Sequence, residues 1–368
     1  MNTRSKVHRI AVLGGDGIGP EVVAEACEVL QTIAELDPQM HFEFTVLDWG
    51  TSYYLRHGQM LPEAATDLLC EYDAILLGAV GDPRVPDDVT LWGMLLPIRQ
   101  RLNQYVNLRP VRLLPGVNSP LVAPGNGQPI DMIIVRENSE GEYAGKGFFL
   151  GERTPLETAV QMSVFSRPGV ERILRYAFEL AKASGRTLTS ISKGNALNYT
   201  GVFWDRMVAE VSKEYPEVSC RQLLVDAAAL HMLRDPASFE VVVASNLFGD
   251  ILSDLAAGIV GGLGLAPSAN LNPEHDYPSM FEPVHGSAPD IAGTGRANPI
   301  AAIWAGAMLV GHLGHPLWES KIVDAIQATL AAGVVLTPDL GGIARTHDVT
   351  KAIIGSLRHD VHAPNPSA

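Results

Sequence analysis

Short apolar runs alternate with helix-period stretches along this chain, and that alternation limits the fold more than any other feature. HRIAVLG precedes PEVVAEACEVLQTI, and DAILLGAVG, DMIIVRE, TLTSIS, QLLVD and EVVVASN follow, each beside a stretch with apolar residues at helical spacing. Runs of this length suit strands, and their apolar character on both parities suits strands covered by helices on both faces. The pattern predicts an α/β architecture around a largely central sheet. At 368 residues the chain exceeds one ordinary hydrophobic core, so two or three domains or one large two-part unit are expected.

Two stretches break the alternation. Between Pro110 and Pro129 the chain is rich in Pro, Gly and Asn and reads as loop. From Tyr143 to Ser166 it reads as loosely alternating β segments (KGFFLGER, ETAVQMSVFS) that could reach a partner subunit. Residues 297–318 lack Asp, Glu, Lys and Arg, but their prolines, glycines, histidines and asparagine favour a buried helix in a core or subunit interface over a membrane span. The C-terminal HAPNPSA is expected to fray.

Composition excludes several classes of function. Hydrophobic residues at 46% against 18% charged provide enough apolar surface for a folded core. With 27 Lys+Arg against 41 Asp+Glu the net charge is −14, and no basic run could track phosphates, so nucleic acid and anionic membranes are not expected partners. Three scattered cysteines without a C-x-x-C suggest neither a disulfide framework nor a thiolate zinc site, and the N-terminus shows no secretory h-region, so a cytoplasmic location is expected.

Several segments could carry chemistry. Gly14-Gly-Asp-Gly-Ile-Gly-Pro20-Glu21 lies between a strand and a helix, yet it fails the G-x-G-x-x-G test because Pro20 takes the sixth place; it is either a ligand loop or a structural turn. In Asn246-Leu-Phe-Gly-Asp250-Ile-Leu-Ser-Asp254 the two aspartates at i, i+4 share a helix face, where their repulsion would turn into coordination of a hard divalent cation. The alternative is a first-turn dipole partner and a solvated acid. Asp226, at the end of the strand QLLVD, adds a third acid at a strand end, where open sheets bind ligands. Arg99, Arg109 and Arg136 are guanidinium forks suited to a di- or tricarboxylate. Lys193 and Tyr143 could form an acid/base pair, with burial lowering the lysine. The Gly/Pro-rich loop Glu282-Pro-Val-His285-Gly286-Ser287-Ala288-Pro-Asp290 with Asn298 carries one acid that could bind both ribose hydroxyls of NAD and repel a 2′-phosphate; His285 could equally be a packing residue.

GDGIGPE, VNLRP, VRENSEGEY, Lys193-Gly-Asn, NLFGDILSD and FEPVHGSAPDIAG, in this order, resemble the metal-dependent decarboxylating β-hydroxyacid dehydrogenases, the isocitrate/isopropylmalate dehydrogenase family, over nearly the whole chain. The resemblance implies a two-lobed fold like isopropylmalate dehydrogenase with a central mixed sheet, not a Rossmann fold. It implies a large lobe of residues 1–104 and 261–368 with the NAD-binding loops, and a small lobe of 105–260 with the substrate and metal residues and a dimerisation β-arm at about 138–166. Arg99, Arg109 and Arg136 would clamp the malate-like carboxylates. Asp250 and Asp254 would hold Mg²⁺ or Mn²⁺ in one subunit, with Asp226 and Lys193 contributed by the other subunit of a homodimer. Tyr143 would return a proton after loss of CO₂. His285, Gly286, Ser287, Ala288, Asp290 and Asn298 would hold the adenosine half of the cofactor, with Asp290-Ile291 favouring NAD over NADP. A monovalent cation such as K⁺ is a family-level option.

The helix before the first arginine bears on the substrate. Thr90-Leu-Trp-Gly-Met-Leu-Leu-Pro-Ile-Arg99 has neither the serine and asparagine of the isocitrate enzymes nor the glutamate of the isopropylmalate enzymes, whose leucines are matched by Leu95 and Leu96; Trp92 stands in the glutamate's place, as a specificity residue or as core filling. LWGMLLPIR, NQYVNLRPVRLLPGV and FSRPGVERILRYAFELA resemble the tartrate and D-malate dehydrogenase branch. The expectation is therefore NAD-dependent oxidative decarboxylation of D-malate to pyruvate and CO₂, with tartrate as a related substrate. The alternatives are 3-isopropylmalate dehydrogenase, a non-catalytic regulatory paralogue, and a metal-dependent hydrolase without cofactor.

Overall fold

The computed structural model describes residues 6–362, so all of HAPNPSA beyond His362 lies outside the described residues. The chain divides into two compact units, 1–102 with 113–120 and 260–368, and 103–112 with 121–259. The expected boundary at 104/105 ran uninterrupted to 260. The structure departs from it at 113–120, which packs with the first unit: a Cβ on Gly116 (φ +79°) would lie 2.2 Å from the Leu330 carbonyl oxygen, so only glycine permits that approach.

The first unit opens with β1 (Val7–Gly15), α1 (Gly19–Leu36), β2 (His41–Val46), α2 (Thr51–His57), α3 (Ala65–Leu69), β3 (Ala74–Ala79), α4 (Asp87–Thr90), a π-helical turn at Leu91–Leu95 and α5 (Leu96–Arg101). The second unit follows with β4 (Val106–Arg112), β5 (Asp131–Glu137), β6 (Gly141–Leu150), β7 (Thr158–Val164), α6 (Arg167–Ser184), β8 (Leu188–Ser192), α7 (Thr200–Val211), β9 (Cys220–Leu224), α8 (Val225–Arg234), β10 (Val241–Ala244) and α9 (Asn246–Ile259). The chain then returns to the first unit with β11 (Pro267–Leu271), β12 (Ser279–Pro283), α10 (Ile300–His312), α11 (Pro316–Ala332) and α12 (Thr346–His362).

In the first unit the strands lie in the order β2-β1-β3-β12-β11, parallel except for the antiparallel pair β11/β12. In the second they run β4-β5-β10-β8-β9, parallel except for β4/β5. All residues of β3, β8 and β10 are buried, as continuous apolar runs covered on both faces require. The segment without charges becomes α10, buried from Ile300 to Val310 and packed on α1, α11, β11 and β12; an all-round apolar helix belongs inside a core. Among the described residues no helix is long and apolar enough to cross a membrane.

The β-like stretch forms the hairpin β6/β7, a separate two-stranded sheet that leaves Phe148, Phe149, Leu150, Met162 and Val164 exposed. One strand was read too long: β9 stops at Leu224, and Asp226 lies in the first turn of α8, where the positive end of the helix dipole favours a carboxylate.

Candidate active site

In the second unit three elements bring their charges together. β10 ends at Ala244, and α9 begins at Asn246, which places Asp250 and Asp254 one turn apart on one face. Arg109 on β4 and Arg136 on β5 reach the same face with side chains only 8% and 4% exposed. Asp250 Oδ1 pairs with Arg109 Nη2 at 3.2 Å and closely with Arg136 Nη1, while Asp254 Oδ1 lies 3.3 Å from Arg109 Nη1. Neutral neighbours orient both forks. Arg109 donates from Nε to Asn107 Oδ1 at 2.8 Å and from Nη1 to Ser253 Oγ at 2.6 Å, and Arg136 donates from Nε and Nη2 to Asn246 Oδ1 at 3.1 and 2.8 Å.

Tyr143 on β6 joins this group. Its hydroxyl donates to Asp250 Oδ2 at 3.5 Å, and the Arg136 guanidinium carbon sits 5.7 Å from its ring centroid. Burial, with the Asp250 charge adding to it, raises the phenol above its ordinary value, and Arg136 pulls the other way. Burial also raises the Asp254 carboxyl; the nearby Arg109 opposes this and the Asp250 charge reinforces it. A pair of carboxylates that resist sharing negative charge is a donor set of hard oxygens, and a divalent cation would relieve the repulsion, so Mg²⁺ or Mn²⁺ fits.

Lys193 and Asp226 form a second pair. Lys193 follows β8 and its Nζ donates closely to Asp226 Oδ1, which holds that carboxyl below the ordinary range. Within one chain the expected partners are thus divided, Tyr143 bonding to Asp250 and Lys193 to Asp226. The aspartate trio does not close within one chain either. Among the described residues the group of three such donors within 4.8 Å of one another is Glu25, Glu28 and His347.

The first unit holds the other expected residues. Arg99 on α5 is buried and paired at 2.8 Å with Glu282 on β12, whose Oε1 also accepts from Asn270 at 2.8 Å. Trp92 lies on the π-helical turn with 43% of its surface exposed, which rules out the core-filling reading, whereas Leu95 packs partly buried against the core and Leu96 is buried within it. A single π turn inside a helix is rare and is frequently found at functional sites.

The loop after β12 borders a cleft of about 380 Å³ lined by His285, Asn298, Ile18, Arg296 and Asp339 among others. The first glycine cluster supports it: Ile18 N donates to the Ser287 carbonyl at 2.8 Å, and a Cβ on Gly17 (φ +57°) would come within 2.0 Å of that oxygen. Its glycines therefore serve close backbone approach, and the buried Asp16 braces them by accepting from Thr51 and Gly81. Ala288 takes φ +39°, a strained value of the kind that clusters at ligand clamps. Gly286 and Asp290 are exposed, Ser287 is buried, and Asp290 falls outside the cleft lining. His285 Nδ1 pairs with the Gly286 carbonyl at 3.0 Å, leaving Nε2 buried without a partner, and burial lowers the imidazole below its ordinary value. That orphaned acceptor fits an amino donor such as adenine carries.

Sequence reasoning missed Asn107, Asn246, Ser253 and Glu282 as orienting groups, and Gly264, Pro338 and Asp339 in the cleft. Asn246 and Ser253 lay inside a motif already singled out; Asp339, which accepts from Asn298 at 2.9 Å across 41 residues, carries no local signal.

A profile of the isocitrate/isopropylmalate dehydrogenase family matches residues 9–353. The chain is 49% identical over 356 residues to a D-malate dehydrogenase (decarboxylating) of Escherichia coli, covering 95% of this chain and 98% of that protein. It is 46% identical over 351 residues to a probable tartrate dehydrogenase/decarboxylase of Agrobacterium vitis (95% and 96%), and 50% identical over 327 residues to a 3-isopropylmalate dehydrogenase of Thermobifida fusca (88% and 91%). The crystal structure of an isocitrate dehydrogenase from Methylococcus capsulatus superposes with a TM-score of 0.86 at 35% identity, over 95% of this chain and 99% of that one.

Proposed function

Because the chain belongs to the isocitrate/isopropylmalate dehydrogenase family, whose members are decarboxylating dehydrogenases that generally use a nicotinamide cofactor and a divalent metal, we propose that it oxidatively decarboxylates D-malate with NAD, with tartrate as a related substrate. The observation that carries the chemistry is the meeting of Arg109, Arg136, Asp250, Asp254 and Tyr143 on one face of α9. Arg109 and Arg136, with Arg99, grip the substrate carboxylates. Asp250 and Asp254 hold Mg²⁺ or Mn²⁺, joined by Asp226 of the partner subunit. When bound, the ion supplies Lewis-acid polarisation at the hydroxyl and carboxylate, and NAD supplies the hydride acceptor.

The remaining steps belong to side chains. Lys193 of the partner subunit lies near the substrate hydroxyl and joins Tyr143 in returning a proton. Tyr143, whose raised phenol stays protonated at neutral pH, gives a proton to the carbon that has lost CO₂. His285 and Asn298 receive the adenosine half of NAD together with the backbone of Gly286, Ser287 and Ala288, and the exposed Asp290 accepts from the ribose hydroxyls. The assembly is a homodimer: Phe148, Phe149 and Leu150 on the hairpin, Leu230 and Leu233 on α8 and Ile251 on α9 are exposed apolar side chains that a second copy would cover. We place it in the cytoplasm, where its three free cysteines would stay reduced.

Trp92 supports a small substrate: an exposed, bulky indole stands where the isopropylmalate enzymes carry a glutamate. The Thermobifida relative keeps 3-isopropylmalate as the second reading. A steady-state panel of D-malate, both tartrate isomers, 3-isopropylmalate and isocitrate, each with NAD and NADP and Mn²⁺, tests the assignment. Highest kcat/KM for D-malate with NAD is expected; a clear lead for 3-isopropylmalate overturns the substrate, and no turnover of any acid revives the non-catalytic paralogue.

A further inference from the structure

We propose that Asn246-Leu-Phe-Gly249-Asp250 is a cradle for the Arg136 side chain, in which Asn246 and Gly249 are positioning residues for substrate-carboxylate binding. The proposal rests on the reading of Arg136 as a carboxylate ligand. Asn246, Gly249 and Asp250 are spaced i, i+3 and i+4, so they share one face of α9. Asn246 is 1% exposed, and its Oδ1 accepts both Nε and Nη2 of Arg136, at 3.1 and 2.8 Å. Its Nδ2 donates to the Glu140 carbonyl at 3.2 Å, which fixes the amide with its oxygen toward the guanidinium. Gly249 makes room for the stem: a Cβ there would lie 2.6 Å from Arg136 Cβ and 2.7 Å from Cγ.

Glycine is a poor helix former, so its place in the first turn of α9 calls for such a reason. The acceptor chemistry is equally selective. An amide carbonyl orients two guanidinium N–H groups without adding a second negative charge to that of Asp250, whereas a carboxylate in its place would add one and compete with the substrate. A segment that reads as a metal motif thus also sets the geometry of the arginine behind it.

The test compares Asn246→Ala, Asn246→Asp, Gly249→Ala and Arg136→Gln in the full-length protein with Mn²⁺ and NAD. It measures KM and kcat for D-malate, NADH affinity by fluorescence, and the melting midpoint. Asn246→Ala and Gly249→Ala are expected to raise KM about tenfold or more, as loss of an oriented charge-assisted contact does, with kcat within about threefold and NADH affinity within about twofold. Asn246→Asp is expected to raise KM at least as far as Asn246→Ala. If KM stays within about twofold in the two Asn246 variants, both still folded by their melting midpoints, while Arg136→Gln raises it, the cradle is wrong and the arginine's role stands. If Arg136→Gln itself leaves KM unchanged, the reading beneath the cradle falls with it. Should Gly249→Ala fail to fold, the two Asn246 variants carry the decision.

Discussion

Tyr143 shows how one side chain's chemistry is set by its neighbours. Its hydroxyl reaches Asp250 and its ring lies beside Arg136, so removing the oxygen leaves packing intact while deleting the only proton it can give. Tyr143→Phe is expected to lower overall turnover by about 10²-fold, because the enolate left by loss of CO₂ has no proton donor at its carbon, with hydride transfer in a single-turnover NADH burst less affected. Unchanged turnover with an unchanged product profile would remove the tyrosine from the mechanism. The type of this residue and its motif were visible in the sequence. Its approach to Arg136 was not, because the two lie on different strands, β5 and β6, of separate sheets.

At the scale of elements, two helices of the first unit carry separate predictions. In α10, Gly306 faces Ala26 and Leu30 of α1, and a Cβ there would sit at 3.8 Å, an ordinary contact. Gly306→Ala is therefore expected to stabilise by roughly 0.5–1 kcal/mol, measured by denaturant unfolding, because it removes backbone entropy without a clash. Gly17→Ala, in contact with the Ser287 carbonyl, is expected to destabilise instead and to weaken NADH binding. In α11, burial pushes the Glu319 carboxyl up to about 7 from 4.5. The folded state then holds the proton more tightly than the unfolded chain, so this contribution is fully present below about pH 4.5 and is lost as pH rises through 7. Glu319→Gln should gain about 1 kcal/mol over the parent at pH 8, the partial exposure reducing the full linkage value, and nothing at pH 4. An equal effect at both pH values would contradict a buried titrating carboxyl.

At the scale of the whole molecule, the chain leaves its first unit after Leu102 and comes back at Val260, returning briefly between at 113–120. Within one chain Lys193 pairs with Asp226 and the three aspartates do not come together, so subunit sharing is testable. Lys193→Ala and Asp254→Asn are each expected to be inactive, yet co-refolded together they should regain about a quarter of parental activity, since half the dimers would be mixed and each would keep one intact site. No recovery, with mixed dimers demonstrated by mass, would mean that each subunit builds its own site.

The alternation of apolar runs and helical periods was enough to predict an α/β chain, because burial on both faces of a strand leaves a local signature. The motifs likewise carried their chemistry in residue types: paired acids, guanidinium forks and a glycine-rich turn. Local sequence could not tell which groups would meet. Arg99 finds Glu282 across 183 positions, His285 borders a cleft shared with Asp339, Trp92 emerges exposed from a π turn, and Asn246 faces Arg136 from another element. Periodicity is a property of neighbours in the chain, whereas the partner of a buried charge is chosen by the packing of distant elements; only the tertiary structure decides it.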